Sequence, residues 1–292
     1  MNINQALNYS TNFLNNIGQV NSRAISELFL SNILKLDKIN LYLNARLDLD
    51  KNQLSTLYEY LERRKTKEPV QYILNSVDFY GNNYYVECGV FIPRVETEIL
   101  VEKCIGYINS KIDIKSEHSF KCLDICTGCG IIPISISSHV KNCCFIGLDI
   151  SNKAIKCARY NLEKINSDLN VRFYRDDIYD FYNLKYLNKS NCFDLIVSNP
   201  PYVPSKYIED LPDEIKKFEP LNALDGGDDG LRFAINIINY ACFALKKNGL
   251  LALELDPRNI NKAYNYIKAK KFSHVKIIDD LTKTSRFLLS IK

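Results

Sequence analysis

Apolar positions in the first 75 residues recur at helical spacing: Ile25, Leu28, Phe29, Ile33 and Leu36 step by 3, 1, 4 and 3, and Leu54, Leu57, Tyr58 and Leu61 step by 3, 1 and 3. No strand signal interrupts them, so residues 1–75 are predicted to form a small helical domain. Arg63, Arg64, Lys65 and Lys67 close the second pattern just before Pro69. Cations there complement the negative end of the helix dipole, and proline stops the helix. That reading is preferred to a nucleic-acid patch, because exposed charge runs usually only solvate a face.

The texture changes at residues 76–95, where Val77-Asp78-Phe79-Tyr80 and Tyr84-Tyr85-Val86 flank Gly81-Asn82-Asn83. Two β-prone runs around a Gly-Asn turn predict a hairpin linker. Over residues 96–292 strand-like and helix-like segments alternate, with strands predicted at 121–125, 144–149, 171–174, 193–198, 249–255, 274–278 and 286–291. Alternation of this kind predicts an α/β unit with a mostly parallel sheet between helices. Such sheets bind ligands at the carboxyl ends of their strands, where the strand order reverses, so the chemistry belongs in the loops after strands.

Composition adds exclusions. A chain of 292 residues, 46% apolar and 25% charged, is long enough and apolar enough for a folded core, which argues against wholesale disorder. A net charge of +4 is too mild to indicate nucleic-acid binding by electrostatics. Ten cysteines spread from Cys88 to Cys242, behind an opening Met-Asn-Ile-Asn-Gln with its first cation at Arg23, read as reduced thiols of a cytoplasmic protein. No apolar run approaches the roughly 18 residues of a membrane span, so no membrane partner is expected. Trp is absent and Met occurs once among abundant Asn, Ile, Lys and Tyr, a drift that softens motifs.

Three loops carry the candidate chemistry. Cys122-Leu123-Asp124-Ile125 runs into Cys126-Thr127-Gly128-Cys129-Gly130 and then into the helical Ile131-Ile132-Pro133-Ile134. Glycines let backbone approach a ligand closely, and a helix start offers free amides, although many α/β proteins carry such a turn for packing alone. Strand Cys144–Leu148 ends at Asp149, 19 residues beyond Gly130, where a carboxylate can accept both hydroxyls of a ribose; helix capping by Asp149 or Ser151 is the competing role. Together these favour an adenosine-containing cofactor without choosing between a dinucleotide and S-adenosylmethionine. Strand Phe193–Val197 then ends in Ser198-Asn199-Pro200-Pro201-Tyr202. Two prolines stiffen that bend, so the Asn199 side-chain oxygen and the Pro200 carbonyl can converge on an NH2 group, with Tyr202 offering a flat face to an amide or base. Cys126-Thr127-Gly128-Cys129, with His139, Cys143 and Cys144 close in sequence, also has metal-ligand character, but no second pair completes four ligands and no metal is expected.

The chain resembles the release factor glutamine methyltransferases. Glu68-Pro69, Gln71-Tyr72-Ile73-Leu74 and Ile92-Pro93-Arg94-Val95-Glu96-Thr97-Glu98 match the family pattern. The glycine loop, Asp149, Asn199-Pro200-Pro201-Tyr202, Phe218-Glu219-Pro220-Leu221 and Ala223–Leu231 follow in family order. The resemblance implies a Rossmann-like seven-stranded methyltransferase sheet over 96–292, behind the helical domain 1–75 and the hairpin 76–95. It also implies S-adenosyl-L-methionine as cofactor, held by Cys126, Thr127, Gly128, Cys129, Gly130, Asp149, Asp177, Ile178 and Asn199. Asn199, Pro200 and Tyr202 would be catalytic, and with Pro201 they would hold the substrate. The implied partner is a class 1 peptide chain release factor, methylated on the glutamine of a Gly-Gly-Gln loop and docked on the helical domain. A monomer without direct nucleic-acid binding is expected. Alternatives are an adenine-N6 DNA or RNA methyltransferase, a ribosomal-protein glutamine methyltransferase and a non-catalytic binding module. Three positions depart from the family: Cys126 replaces a glycine, Ile178 an aromatic residue, and Glu254-Leu255-Asp256 a Glu-x-Gly. Should the loop demand a positive φ at Cys126, strain and weaker cofactor binding are expected there.

Overall fold

Helix starts in the amino-terminal region are set by reciprocal side-chain caps. Asn2 accepts from the Gln5 amide at 2.9 Å while Gln5 accepts from the Asn2 amide at 2.9 Å, and Asp50 and Gln53 repeat the arrangement at 2.8 and 2.9 Å. The computed structural model describes residues 1–111, 119–180, 189–270 and 272–292. In chain order the first helices are α1 (Ile3–Asn16), α2 (Ser22–Leu34), α3 (Lys38–Leu43), α4 (Lys51–Lys65) and α5 (Val70–Leu74). They enclose a core of Ile3, Leu7, Leu14, Phe29, Leu30, Leu41, Leu57 and Leu61. Leu28 and Tyr58, part of the predicted helical stripes, are exposed, because each lies at the edge of its stripe.

This helical unit comprises Met1–Asn75 together with Pro212–Phe218. The later segment supplies carboxylates to the basic end of α4: Arg64 meets Glu214 at 2.9 Å and Lys67 meets Asp213 at 2.7 Å. Arg63 binds both oxygens of Glu68, at 2.9 and 2.7 Å. Lys65 meets Glu62 at 3.2 Å, so all four cations of the run have carboxylate partners within their own unit.

The second unit comprises Ser76–Leu211 and Glu219–Lys292. It opens with the antiparallel pair β1 (Val77–Phe79) and β2 (Asn82–Tyr84), whose turn is Tyr80-Gly81, both with positive φ. The turn falls one residue before the predicted Gly-Asn. The hairpin segment is counted in the same compact unit as the sheet: Asn161 accepts from the Tyr85 amide at 2.7 Å and donates to the carbonyls of Tyr85 and Cys129, both at 2.9 Å. The expected linker 76–95 is thus not a body apart from 96–292.

The remaining elements are α6 (Thr97–Lys111), β3 (Phe120–Ile125), α7 (Ile131–His139), β4 (Cys143–Asp149), α8 (Asn152–Asn166), β5 (Val171–Arg175), β6 (Phe193–Ser198), α9 (Asp213–Phe218, of the helical unit), α10 (Arg232–Ala244), β7 (Leu245–Glu254), α11 (Ile260–Lys268), β8 (Ser273–Asp279) and β9 (Ser285–Ile291). The seven-stranded sheet runs β5-β4-β3-β6-β7-β9-β8, parallel except for β9, which is antiparallel to both neighbours. Strands at its centre are buried on both faces and read as apolar runs such as Leu250-Leu251-Ala252-Leu253. Asp194, inside the buried β6, is held by Lys246 at 2.7 Å and by the Lys121 amide at 2.9 Å.

After β3 the chain builds outward through β4 and β5, then returns to place β6 against β3 on the other side. The strand order therefore reverses between β3 and β6, and the loops leaving their carboxyl ends face one crevice. Those loops are Cys126–Gly130 and Asn199–Tyr202.

Candidate active site

The crevice is a cavity of about 250 Å³ lined by both loops, by Asp149 to Ser151 after β4, and by Asp176 to Tyr179 after β5. Every residue singled out from the sequence as cofactor- or substrate-binding lines it except Gly130, which starts α7 beneath the loop. A Cβ on Gly130 would lie 2.8 Å from the Phe173 ring, and its φ is +83°, so glycine is required there for packing and for conformation alike. Cys126 has φ 61°. The expected left-handed geometry is present with a side chain in place, a cost of roughly 1–2 kcal/mol for a non-glycine residue.

Asp149 ties the loop to the next strand. One carboxylate oxygen accepts from the Gly128 amide and the other from the Ser151 amide, both at 2.9 Å. Ser151, not Asp149, caps α8, accepting from the Ala154 amide at 3.2 Å. Asp149 therefore faces the cavity with unused lone pairs on both oxygens, the donor-accepting geometry that a ribose diol needs. Burial lifts its carboxyl above the ordinary value, against the pull of the Ser151 and Gly128 amides. Behind the loop, Asp124 is fully buried, and neither its carboxylate oxygens nor the Thr127 hydroxyl makes a well-formed hydrogen bond. Burial pushes the Asp124 carboxyl up to about 8, with the Thr127 hydroxyl pulling it down more weakly and Asp149 pushing it further up. A carboxylate with lone pairs free for a diol, beside a glycine cradle and the unpartnered Thr127 hydroxyl on the cavity wall, fits an adenosine cofactor.

The Asn199-Pro200-Pro201-Tyr202 bend is gripped from behind. Val203 donates to Leu224 at 2.9 Å, Gly226 donates to Val203 at 2.8 Å, and Ser205 donates to Gly227 at 3.0 Å. The approach is close enough that a Cβ on Gly230 would fall 2.3 Å from the Tyr202 carbonyl oxygen, and one on Gly226 2.8 Å from that of Pro201. The glycines of Ala223–Leu231 thus fix the bend. Burial, with Glu254 nearby, pushes the Tyr202 hydroxyl well above its ordinary value, so it stays a neutral phenol. Asn199 donates its side-chain amide to the Thr97 hydroxyl at 3.3 Å, and Thr97 donates to Glu254 at 2.7 Å.

Two other segments quoted for the resemblance meet beside the cavity. Glu219 accepts from Arg94 at 2.5 Å and from the Ile92 amide at 3.2 Å, joining Ile92-Pro93-Arg94 to Glu219-Pro220. Sequence reasoning missed several residues that the fold brings here. Tyr179, next to Ile178, lines the cavity with its ring 6.3 Å from that of Phe233, and so supplies the aromatic surface that Ile178 lacks. Thr97 lies inside a quoted stretch but had no chemistry assigned, and Glu254 was noted only as a departure. The signal available was a carboxylate ending an otherwise apolar, buried strand. Cys129 is buried and its carbonyl is held by Asn161, and among the described residues no group of three or more His, Cys, Asp or Glu is arranged to hold a metal.

Comparison with known proteins bears on both units. Residues 5–74 match the family model described as PrmC N-terminal domain, and residues 116–283 match the one described as Methyltransferase domain. A release factor glutamine methyltransferase of Clostridium acetobutylicum is 34% identical over 91% of this chain and 90% of its own length. One from Thermodesulfovibrio yellowstonii is 35% identical over 92% of each. Among solved structures, the hMettl16 catalytic domain in complex with the MAT2A 3′UTR hairpin 6 has a TM-score of 0.53 and 15% identity over 86% of this chain and 85% of its own, a likeness of fold.

Proposed function

Since the chain belongs to the release factor glutamine methyltransferase family, we propose that it transfers a methyl group from S-adenosyl-L-methionine to the side-chain amide nitrogen of a glutamine. The proposed substrate is the Gly-Gly-Gln loop of a class 1 peptide chain release factor, which also sets the compartment as the cytoplasm. The observation that carries the reading is the meeting of Asp149, the glycine loop and the clamped Asn199-Pro200-Pro201-Tyr202 bend on one cavity.

When bound, the cofactor supplies an electrophilic methyl carbon on its sulfonium. Asp149 would hold the ribose hydroxyls, the amides of the glycine turn would offer donors to the cofactor, and Ile178 with Tyr179 would cover the adenine. An amide nitrogen is a poor nucleophile because its lone pair is delocalised into its carbonyl. Orientation is therefore the main contribution the protein can make. Asn199 and the Pro200 carbonyl would accept the two N–H bonds of the substrate glutamine, fix its nitrogen toward the methyl carbon and stabilise the positive charge that grows on it as the carbon–sulfur bond breaks; loss of one N–H proton to solvent then leaves the neutral N-methyl amide beside a thioether. Acceptors in a stiffened, buried bend need no reorganisation when that charge appears, and the gain is greatest in the transition state. Tyr202 remains neutral and contributes its face to the flat amide.

The helical unit is proposed as the release factor's platform. On α3, Ile39, Tyr42 and Leu43 share one face and are 72%, 43% and 77% exposed, apolar surface of the kind found at protein interfaces. Incubating the protein with labelled donor and either purified release factor or duplex oligonucleotide tests the proposal. Label on the glutamine of the release factor is the expected result. Label on the oligonucleotide alone would replace the proposal with a base methyltransferase, and label on neither with a binding module.

A further inference from the structure

Asn199 performs its proposed role only if the correct end of its amide faces the substrate. The NH2 end and the oxygen end have nearly the same shape, so packing alone does not choose between them. Hydrogen-bond polarity does. Thr97, at the start of α6, receives the Asn199 NH2 at 3.3 Å and reaches the Glu254 carboxylate at 2.7 Å, where Glu254 ends β7. A hydroxyl has a single proton. When Thr97 spends that proton on an ionised Glu254, it can only accept from Asn199, so the NH2 points to Thr97 and Oδ1 is left for the substrate. Thr97 lines the cavity, whereas Glu254 does not and is 1% exposed.

We propose that Thr97 and Glu254 are positioning residues for methyl transfer, a one-way hydrogen-bond relay that holds Asn199 with its oxygen toward the acceptor amide. The inference rests on the reading of Asn199 as that acceptor's hydrogen-bond partner and deepens it. Protonating Glu254 reverses the relay. The Glu254 proton then satisfies Thr97, the Thr97 hydroxyl is freed to donate to Asn199, and the flipped amide offers the substrate a donor where an acceptor is required.

Glu254 is placed to titrate in a useful range. Burial pushes its carboxyl up to about 7, opposed by the Thr97 hydrogen bond and the charge of Arg286 on β9, then assisted by Glu96 and opposed by Arg94. Tyr202 stands near it as a neutral phenol, and Asp256, close in sequence, is engaged with Arg258. Asp124 and Asp149 adjoin the glycine loop instead, so their titration acts on cofactor binding and is suppressed at saturating donor.

The test is the rate of methyl transfer at saturating donor and release factor, followed across pH for wild type, Glu254→Gln, Thr97→Ser, Thr97→Val and Asn199→Ala, with donor affinity by calorimetry. Wild-type kcat should fall toward acid with a midpoint near 7. Glu254→Gln should lose that limb and run about tenfold slower above it, since a neutral amide accepts from Thr97 more weakly. Thr97→Ser should stay within about threefold of wild type and Thr97→Val should lose about thirtyfold, with donor affinity within about twofold throughout. A wild-type acid limb that persists in Glu254→Gln, or wild-type kcat in Thr97→Val, would overturn the relay. If Thr97→Val fails to fold, the pH profile of Glu254→Gln decides alone. Undiminished turnover in Asn199→Ala would instead remove the reading on which the relay rests. Collapse of that variant beside wild-type behaviour of the other three would sink the relay only.

Discussion

Cys126 and Asp124 show how far the cofactor loop is built at a cost to stability. Cys126 keeps the left-handed backbone that glycine adopts most readily, so its strain is borne by the fold. Cys126→Gly should therefore raise stability by about 1 kcal/mol, some 2–4 °C in melting temperature, and change donor affinity less than about threefold. A weaker donor affinity with no thermal gain would contradict this. Asp124 carries a pH signature. Its carboxyl is raised from 3.8 to about 8, so the native state binds a proton the unfolded chain releases. That contribution is complete below the unfolded value and is lost as pH rises through about 8. Asp124→Asn removes the dependence. Across that window the melting temperature of the variant, relative to wild type, should rise by on the order of 10 °C in cofactor-free protein. A constant difference between the two would show that Asp124 is already ionised near neutrality. At this scale the sequence singled out Asn199 and Asp149, and the fold places both on the wall of one cavity. It concealed Thr97, Glu254 and Tyr179, whose contribution depends on neighbours more than 20 residues away in sequence.

Among elements, the clamp formed by Ala223–Leu231 matters most to the site. The alternation of apolar runs made all seven strands of the sheet legible, with 193–198 matched at both ends and no end displaced by more than four residues, because the central parallel strands are buried and apolar throughout. Glycine-rich Asp225–Gly230 has no periodicity to read, and its purpose appears only where its backbone meets the Tyr202 carbonyl. Gly230 has φ +73° and no room for a Cβ. Gly230→Ala should lower stability by about 2–3 kcal/mol and reduce kcat more than tenfold, measured by chemical denaturation and by turnover at saturating donor. Turnover equal to wild type would mean that the bend holds its shape without the clamp. Helix α1 has no stripe among those quoted from the sequence, and its start is fixed by side-chain hydrogen bonds. Asn2 and Gln5 form a capping pair, a signal independent of the apolar spacing that pointed to the later helices.

For the whole molecule, the order of strands explains why residues 70 positions apart serve one cavity. The reversal between β3 and β6 brings the Cys126–Gly130 and Asn199–Tyr202 loops to the same crevice. What the sequence did not disclose is that Pro212–Phe218 returns to the helical unit, since the carboxylates of Asp213 and Glu214 gain meaning only opposite Lys67 and Arg64. If the helical unit docks the release factor, replacing Ile39 and Leu43 together by serine should raise KM for the intact factor about tenfold. Donor affinity and methylation of a short Gly-Gly-Gln peptide should be unchanged. Equal KM for the factor would place docking elsewhere. The central claim is that Asn199 grips the recipient amide while others hold the donor. The decisive measurement pairs the kcat of Asn199→Ala on purified release factor with its donor dissociation constant. We predict a fall in kcat of at least about a hundredfold with donor affinity within about twofold of wild type. Undiminished kcat, or a loss traced entirely to donor binding, would contradict the account.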